Sequence, residues 1–172
     1  MRSFKTRFNY LILVGRFILM LFFGTLSVFL MYLIIEKLKL QGYSNEVLPL
    51  ALFNFILLYL TYHFIVIIYN QSYNFEIEEH KIFKISIFSG KKELLKTDQI
   101  KGFSTSIYPI KVWNFKSIIL YLKNGKKLEM PQFLYFNFNE IENKLIENSV
   151  IKLGHEKYKW KFFDSRYYEF EQ

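Results

Sequence analysis

Side chains that do covalent or metal chemistry are few in this chain of 172 residues: three histidines, two aspartates and no cysteine. His80 follows Glu78 and Glu79, and His155 precedes Glu156, yet neither grouping has the spacing of a metal-ligand set. The chain also lacks a phosphate-cradling glycine loop and a Gly-x-Ser-x-Gly nucleophile elbow. Asp98, within Thr-Asp-Gln-Ile, suits a turn cap before Ile100. The expectation is a protein that is not an enzyme, with no catalytic residue, no metal and no cofactor.

The more coherent chemistry is electrostatic. Residues 81–127 carry eleven lysines against Glu93 and Asp98, a net charge of +9, between flanking stretches 70–80 and 128–156 of −3 each. Lys91, Lys92, Lys96, Lys101, Lys126 and Lys127 are the candidate contacts for anionic lipid. A lysine at an anionic membrane surface contributes on the order of 1 kcal/mol, and the effect fades within a Debye length of about 8 Å. The competing reading is a solvated lysine face that keeps strand edges from aggregating. No nucleic-acid-binding motif accompanies the block, so nucleic acid is not an expected partner.

Two further groups combine polar and aromatic character. The C-terminal stretch GHEKYKWKFFDSRYYEF interleaves bases with aromatics, and Tyr158, Trp160 and Lys161 are its candidate interfacial residues. Packing of this stretch against the rest of the protein, as a tail or one last strand, is the preferred alternative, because so much aromatic area usually finds a protein partner. Asn54, Tyr59 and His63 stand in an otherwise apolar run. They are read as polar contacts between helices, ahead of a proton or substrate path.

These residues need elements to position them. Phe17 to Ile35 is free of charge over nineteen residues, and Val47 to Tyr69 over twenty-three. At about 1.5 Å per residue, each run crosses a hydrocarbon core of roughly 30 Å as a helix. Helices over about 10–36 and 47–69 are expected, with Pro49 in the first turn of the second, where its missing N–H does least harm. The first run exceeds a signal-peptide core and is followed by EKLKLQG, so it is read as a retained anchor. Arg2, Lys5, Arg7, Arg16, Lys81 and Lys84 flank the outer ends of the pair, against Lys37 and Lys39 in the connecting loop. The positive-inside rule then puts both termini in the cytoplasm. The lack of cysteine fits a reducing compartment.

After Tyr69 the pattern turns to alternation. Phe75 and Ile77 share one face against Glu76 and Glu78, and Phe83, Ile85 and Ile87 alternate with Ile82, Lys84 and Ser86, as in half-buried strands. Ser89-Gly90 and Asn124-Gly125 mark two hairpin turns, and Gly102 marks a bend or bulge before Pro109. About six strands result. FLYFNFNEIENKLIEN then becomes helical over 138–148, with Asn137 as N-cap, Glu140 completing a capping box and Phe136 stapling onto Ile141. Phe138, Ile141 and Leu145 form the buried face.

The order of hairpin, strands and closing helix resembles the bacterial pleckstrin-homology-like (PH-like) domains, including the YcxB-like kind, that follow a two-helix membrane hairpin. The stretches that carry the resemblance are NFEIEEHKIFKISIFSG, LLKTDQIKGF and SIILYLKNGKKLEMP with the helix after it, within residues 10–148. The resemblance implies an α+β membrane protein: a transmembrane hairpin, then a small antiparallel PH-like barrel or sandwich closed by one amphipathic helix. The first strand turn reads EIEEHK and is acidic, so no inositol-phosphate-binding residue is carried over.

Three parts are therefore expected: residues 1–69 with the hairpin, a cytoplasmic β domain over 70–150, and an aromatic and basic tail over 151–172. The expected role is a non-catalytic module in the bacterial cell membrane that binds a protein partner, a second copy of itself or membrane lipids, as a scaffold or regulatory subunit. An immunity protein against a membrane-active toxin is the alternative from another class, and an unrecognised lipid-processing enzyme is the third.

Overall fold

The computed structural model describes residues 3–42, 44–79, 81–110, 113–159, 161 and 166–170. The chain divides into two compact units, Leu13–Tyr69 and a second made of Met1–Ile12 with Asn70–Gln172.

Two helices make the first unit, α1 (Tyr10–Gln41) and α2 (Val47–Gln71). At about 1.5 Å per residue they are roughly 48 and 37 Å long. Only 11% and 17% of their most apolar stretches are buried, whereas a core helix of a soluble protein would bury most of its length. Both are long and apolar enough to cross a membrane. α1 runs five residues past its expected end at 36, because Glu-Lys-Leu-Lys-Leu-Gln holds no helix breaker. It stops at Gly42, whose φ of +68° and N–H bond to Leu38 O at 3.1 Å form a left-handed C-terminal cap. The pair packs antiparallel: Phe23 stacks on Phe64 at 5.9 Å, and an ion pair joins Lys37 to Glu46 beside the connecting turn.

Among the described residues the second unit holds two four-stranded sheets. The first has the order β1-β2-β3-β4, all antiparallel, from β1 (Phe4–Lys5), β2 (Tyr73–Glu78), β3 (Lys81–Ser86) and β4 (Lys92–Lys96). The other has the order β7-β6-β5-β8, from β5 (Ile100–Ile110), β6 (Trp113–Leu122), β7 (Lys127–Pro131) and β8 (Lys152–Glu156). β8 runs parallel to β5, and the remaining pairs of this sheet are antiparallel. Phe4, Phe75, Ile77, Ile82 and Leu95 are buried apolar side chains of the first sheet. Phe103, Ile118, Leu120 and Met130 are their counterparts in the second, and α3 (Phe138–Glu147) adds Phe138, Ile141 and Leu145. The fold class is α+β, as expected, but the β part is two sheets and not a closed barrel.

The two hairpin turns fall at the expected dipeptides, with Gly90 at φ +65° and Gly125 at φ +81°. Gly102 breaks the register between β5 and β6, and a Cβ there would stand 2.6 Å from the Ile151 carbonyl oxygen.

Four expectations need correction. Residues 4–8 belong to the β unit: Thr6 N donates to Phe75 O at 2.8 Å, and Phe8 bridges Tyr135. Residues 152–156 are not tail but strand β8. Asn137 does not cap α3. Its amide accepts from Arg7 N at 2.8 Å and donates to Lys5 O at 3.0 Å, satisfying a donor and an acceptor together where a cap would satisfy one group. Phe136 is exposed and staples nothing.

Candidate functional site

The six lysines do not form one patch. Lys91 immediately precedes β4, Lys92 begins it and Lys96 ends it, so at about 3.4 Å per residue Lys91 and Lys96 stand roughly 17 Å apart, about two Debye lengths. Lys91, Lys96 and Lys126 are exposed. Lys92 pairs with Glu76 at 2.7 Å and covers the Phe83 ring at 3.9 Å. Lys101 donates to Phe170 O at 3.2 Å, and Lys127 lies 4.8 Å from the centre of the Tyr168 ring. Lys84 covers Tyr73 at 3.8 Å, and burial there pulls its ammonium below the usual lysine range, with Glu93 opposing and Lys126 adding to the shift.

At the end of β4, Lys96 is registered directly opposite Lys81 of β3, and both are exposed; Glu78 of β2 is registered opposite Lys81 on its other side, leaving Lys96 without an acid in register among the described residues. Like charges facing across a strand pair destabilise it.

The densest polar constellation is one that pattern reading missed. Ser104, Ser106, Ser117, Tyr121, Glu129 and Glu156 project from one face of the second sheet, and the C-terminal stretch covers them. That stretch doubles back, with Tyr167 N bonded to Lys159 O at 2.8 Å, and delivers Arg166 into the face. Arg166 donates through Nη2 to Ser106 Oγ at 2.8 Å and through Nη1 to Glu129 Oε1 at 3.3 Å, between the rings of Tyr158 and Tyr168. Glu156 accepts from Ser104 Oγ at 2.6 Å, from Tyr121 OH at 2.9 Å and from the Glu169 N–H at 2.8 Å. Burial, then the bond to Glu156, holds the Tyr121 phenol far above its usual range.

Glu129 is the ill-served member. Ser117 Oγ reaches its Oε1 at 3.0 Å, while its buried Oε2 has no hydrogen-bond partner among the described residues. Burial raises its pKa, and Arg166 and Ser117 draw it only part of the way back. Arg166 pairs with Glu129, and the nearby Glu156 charge adds to the upward push on the Glu129 carboxyl. Arg166 and Glu156 are both 0% exposed, so no substrate reaches the cluster. Its chemistry is that of a clamp on the C-terminal stretch. The signal in the sequence was faint: hydroxyl and acid residues at alternate positions of β5, β6 and β7, and one arginine among lysines.

Of the candidate tail residues, Tyr158 packs on Tyr108 with ring centres 4.6 Å apart, Lys161 lies 5.4 Å from the centre of the Tyr167 ring, and Trp160 lies outside the described residues. In the helical unit Asn54 is buried and accepts from Ser27 Oγ at 2.7 Å, which ties α2 to α1. Tyr59 and His63 stack on each other at 6.0 Å along α2. Among the described residues no three of His, Asp or Glu gather as metal ligands would.

Neither a protein-family model nor a curated protein matches this chain. The functional reading therefore rests on geometry and charge.

Proposed function

We propose that this chain is a multi-pass protein of the bacterial cell membrane with both termini in the cytoplasm. Its β unit is a PH-like, non-catalytic module that binds an anionic surface, on a partner protein or on the membrane, as a scaffold or regulatory subunit. The observation that carries the reading is the exposed Lys81–Lys96 pair. Folding alone gains nothing from two ammonium groups facing each other across strands, and an anionic partner would relieve the repulsion. The buried Arg166 clamp adds support, because its carboxylates are closed to any substrate.

Two experiments on the full chain test this. Protease digestion of sealed vesicles should cut the β unit only when the cytoplasmic side is exposed; cutting from the opposite side overturns the topology. Lys81→Glu with Lys96→Glu should abolish capture of an acidic partner protein by the detergent-solubilised full chain. A single Lys96→Glu change creates an opposite-charge pair, so a stability measurement on it separates lost binding from lost folding. Binding unchanged by the double reversal refutes the surface assignment.

A further inference from the structure

Chain connectivity ties one end of the β unit to the ends of both long helices. β2 begins at Tyr73, two residues after α2 ends at Gln71, and β1 ends at Lys5, five residues before α1 begins at Tyr10. A chain spans at most about 3.6 Å per residue, so Tyr73 lies within roughly 7 Å of the end of α2. Ser72, between them, accepts from the Ile87 N–H at 3.1 Å, and Tyr73 is registered opposite Ser86. The turn from Ile87 to Lys91 is thereby held at the point where the chain leaves α2. On the other side, Arg7 O accepts from the Phe136 N–H at 2.9 Å, which holds Phe136 three residues ahead of α1.

The side chains at these two places are alike. Phe88 is 55% exposed and Phe136 71% exposed, and they are the exposed phenylalanines of the β unit among the described residues. Each has an exposed base close by in the same segment or across the same bond, Lys91 for Phe88 and Arg7 for Phe136. Single exposed apolar residues are ordinary on a protein surface. Two exposed phenylalanines, each with a base and each held where the chain enters or leaves an apolar helix, form a pattern. Exposed tyrosines lie at the helix ends joined to the β unit: Tyr10 opens α1, and Tyr69 stands two residues before the end of α2. Tyrosine favours the headgroup zone, which is roughly 5–8 Å deep on each side of the hydrocarbon. By contrast, Ile151 is 67% exposed, and its carbonyl accepts from the Phe103 N–H at 2.8 Å near the start of β5, which follows the Lys96 end of β4.

We infer that this end of the β unit is a bilayer-docking rim, in which Phe88 and Phe136 enter the boundary between headgroups and acyl chains and Lys91 and Arg7 contact anionic phospholipid. The inference rests on the reading that α1 and α2 span a membrane. It divides the lysines by position: Lys91 works at the rim, while Lys96 and Lys81, one strand length away, stand beyond the reach of the headgroup charge and remain available to another partner.

The chain has no cysteine, so a single one can be introduced and labelled. The full chain would carry an environment-sensitive fluorophore at Ser89→Cys, or at Ile151→Cys as control, in nanodiscs of phosphatidylcholine with phosphatidylglycerol. Nitroxide on the lipid and iodide in the water serve as the two quenchers. Position 89 should be quenched by the lipid-borne nitroxide and shielded from iodide, and position 151 the reverse. Phe88→Ser should move position 89 toward water in every disc. Lys91→Glu should do so only with phosphatidylglycerol present, weakening docking by about fivefold for each base lost. Position 89 behaving like position 151, or shielded from both quenchers by a second copy or another protein, overturns the rim. Carbonate washing of vesicles of the same lipids carrying the same chain keeps the failures distinct: release of the chain refutes the membrane-spanning reading, and retention with position 89 in water refutes the rim alone.

Discussion

Replacing Arg166 by methionine keeps the volume and removes the guanidinium, and it should destabilise the β unit by about 3 kcal/mol. Removing one partner of a buried ion pair typically costs about 3–5 kcal/mol, because the other charge is left buried and alone. The lower figure applies here for two reasons. The Nη1 to Glu129 contact is long at 3.3 Å, and burial already raises the Glu129 pKa, so that carboxyl takes up a proton when its partner leaves. Ser106 and the carbonyl of Lys157 also lose a donor. For a unit of this size the loss corresponds to a fall in Tm of roughly 10–15 °C. Near-UV circular dichroism of the full chain in mild detergent would follow it, and trypsin should cut after Lys157, Lys159 or Lys161 well below the melting temperature, because the clamp on the C-terminal stretch is lost. Adding Glu129→Met to Arg166→Met should recover about half of the loss. A single variant within about 1 kcal/mol of the parent, or a double variant no better than the single, would refute the assignment of a coupled buried cluster.

Glu129→Gln tests the sign of the pH dependence. A folded-state pKa raised above the ordinary 4.5 contributes stability that is full below 4.5 and is lost as pH rises through the folded value, so the parent should weaken with rising pH and the glutamine variant should show a flatter profile in melts from pH 5 to about 9. Gly102→Ala places a Cβ 2.6 Å from the Ile151 carbonyl oxygen at a φ of +155°, and should cost about 2–3 kcal/mol in the same melts; an unchanged Tm would contradict the close approach of β8. Asn54→Leu removes the acceptor of the Ser27 hydroxyl and should weaken the helical pair by about 1 kcal/mol, read from the midpoint of a dodecyl-sulfate titration of the full chain.

The elements readable from the sequence are those whose cause is local. Unbroken apolarity predicts α1 and α2, period-two alternation predicts β2 and β3, and Ser-Gly and Asn-Gly place their turns, because each signal is read within a few residues of where it acts. The end of α1 falls later than the expected 36; the helix runs on to Gly42, where one residue's freedom at positive φ stops it. What the sequence by itself determined, then, is the order and kind of most elements and the uneven placing of charge along them.

Partnership between distant residues belonged to the tertiary structure. β1 pairs with a strand some seventy residues later, and β8 joins β5 in parallel across about fifty, pairings that no local pattern announces because the hydrogen-bonding backbone is the same everywhere. Asn137 has the right type and place for an N-cap, and two backbone groups of residues 5 and 7 outbid the single N–H of its own helix. The lysines looked like one block in the sequence, yet the length of β4 holds Lys91, just before it, and Lys96, at its end, about two Debye lengths apart, and screening makes them separate sites. Arg166, Glu129 and Glu156 are unremarkable where they stand in the chain. Only the fold removes them from water together, and that desolvation makes their pairing matter.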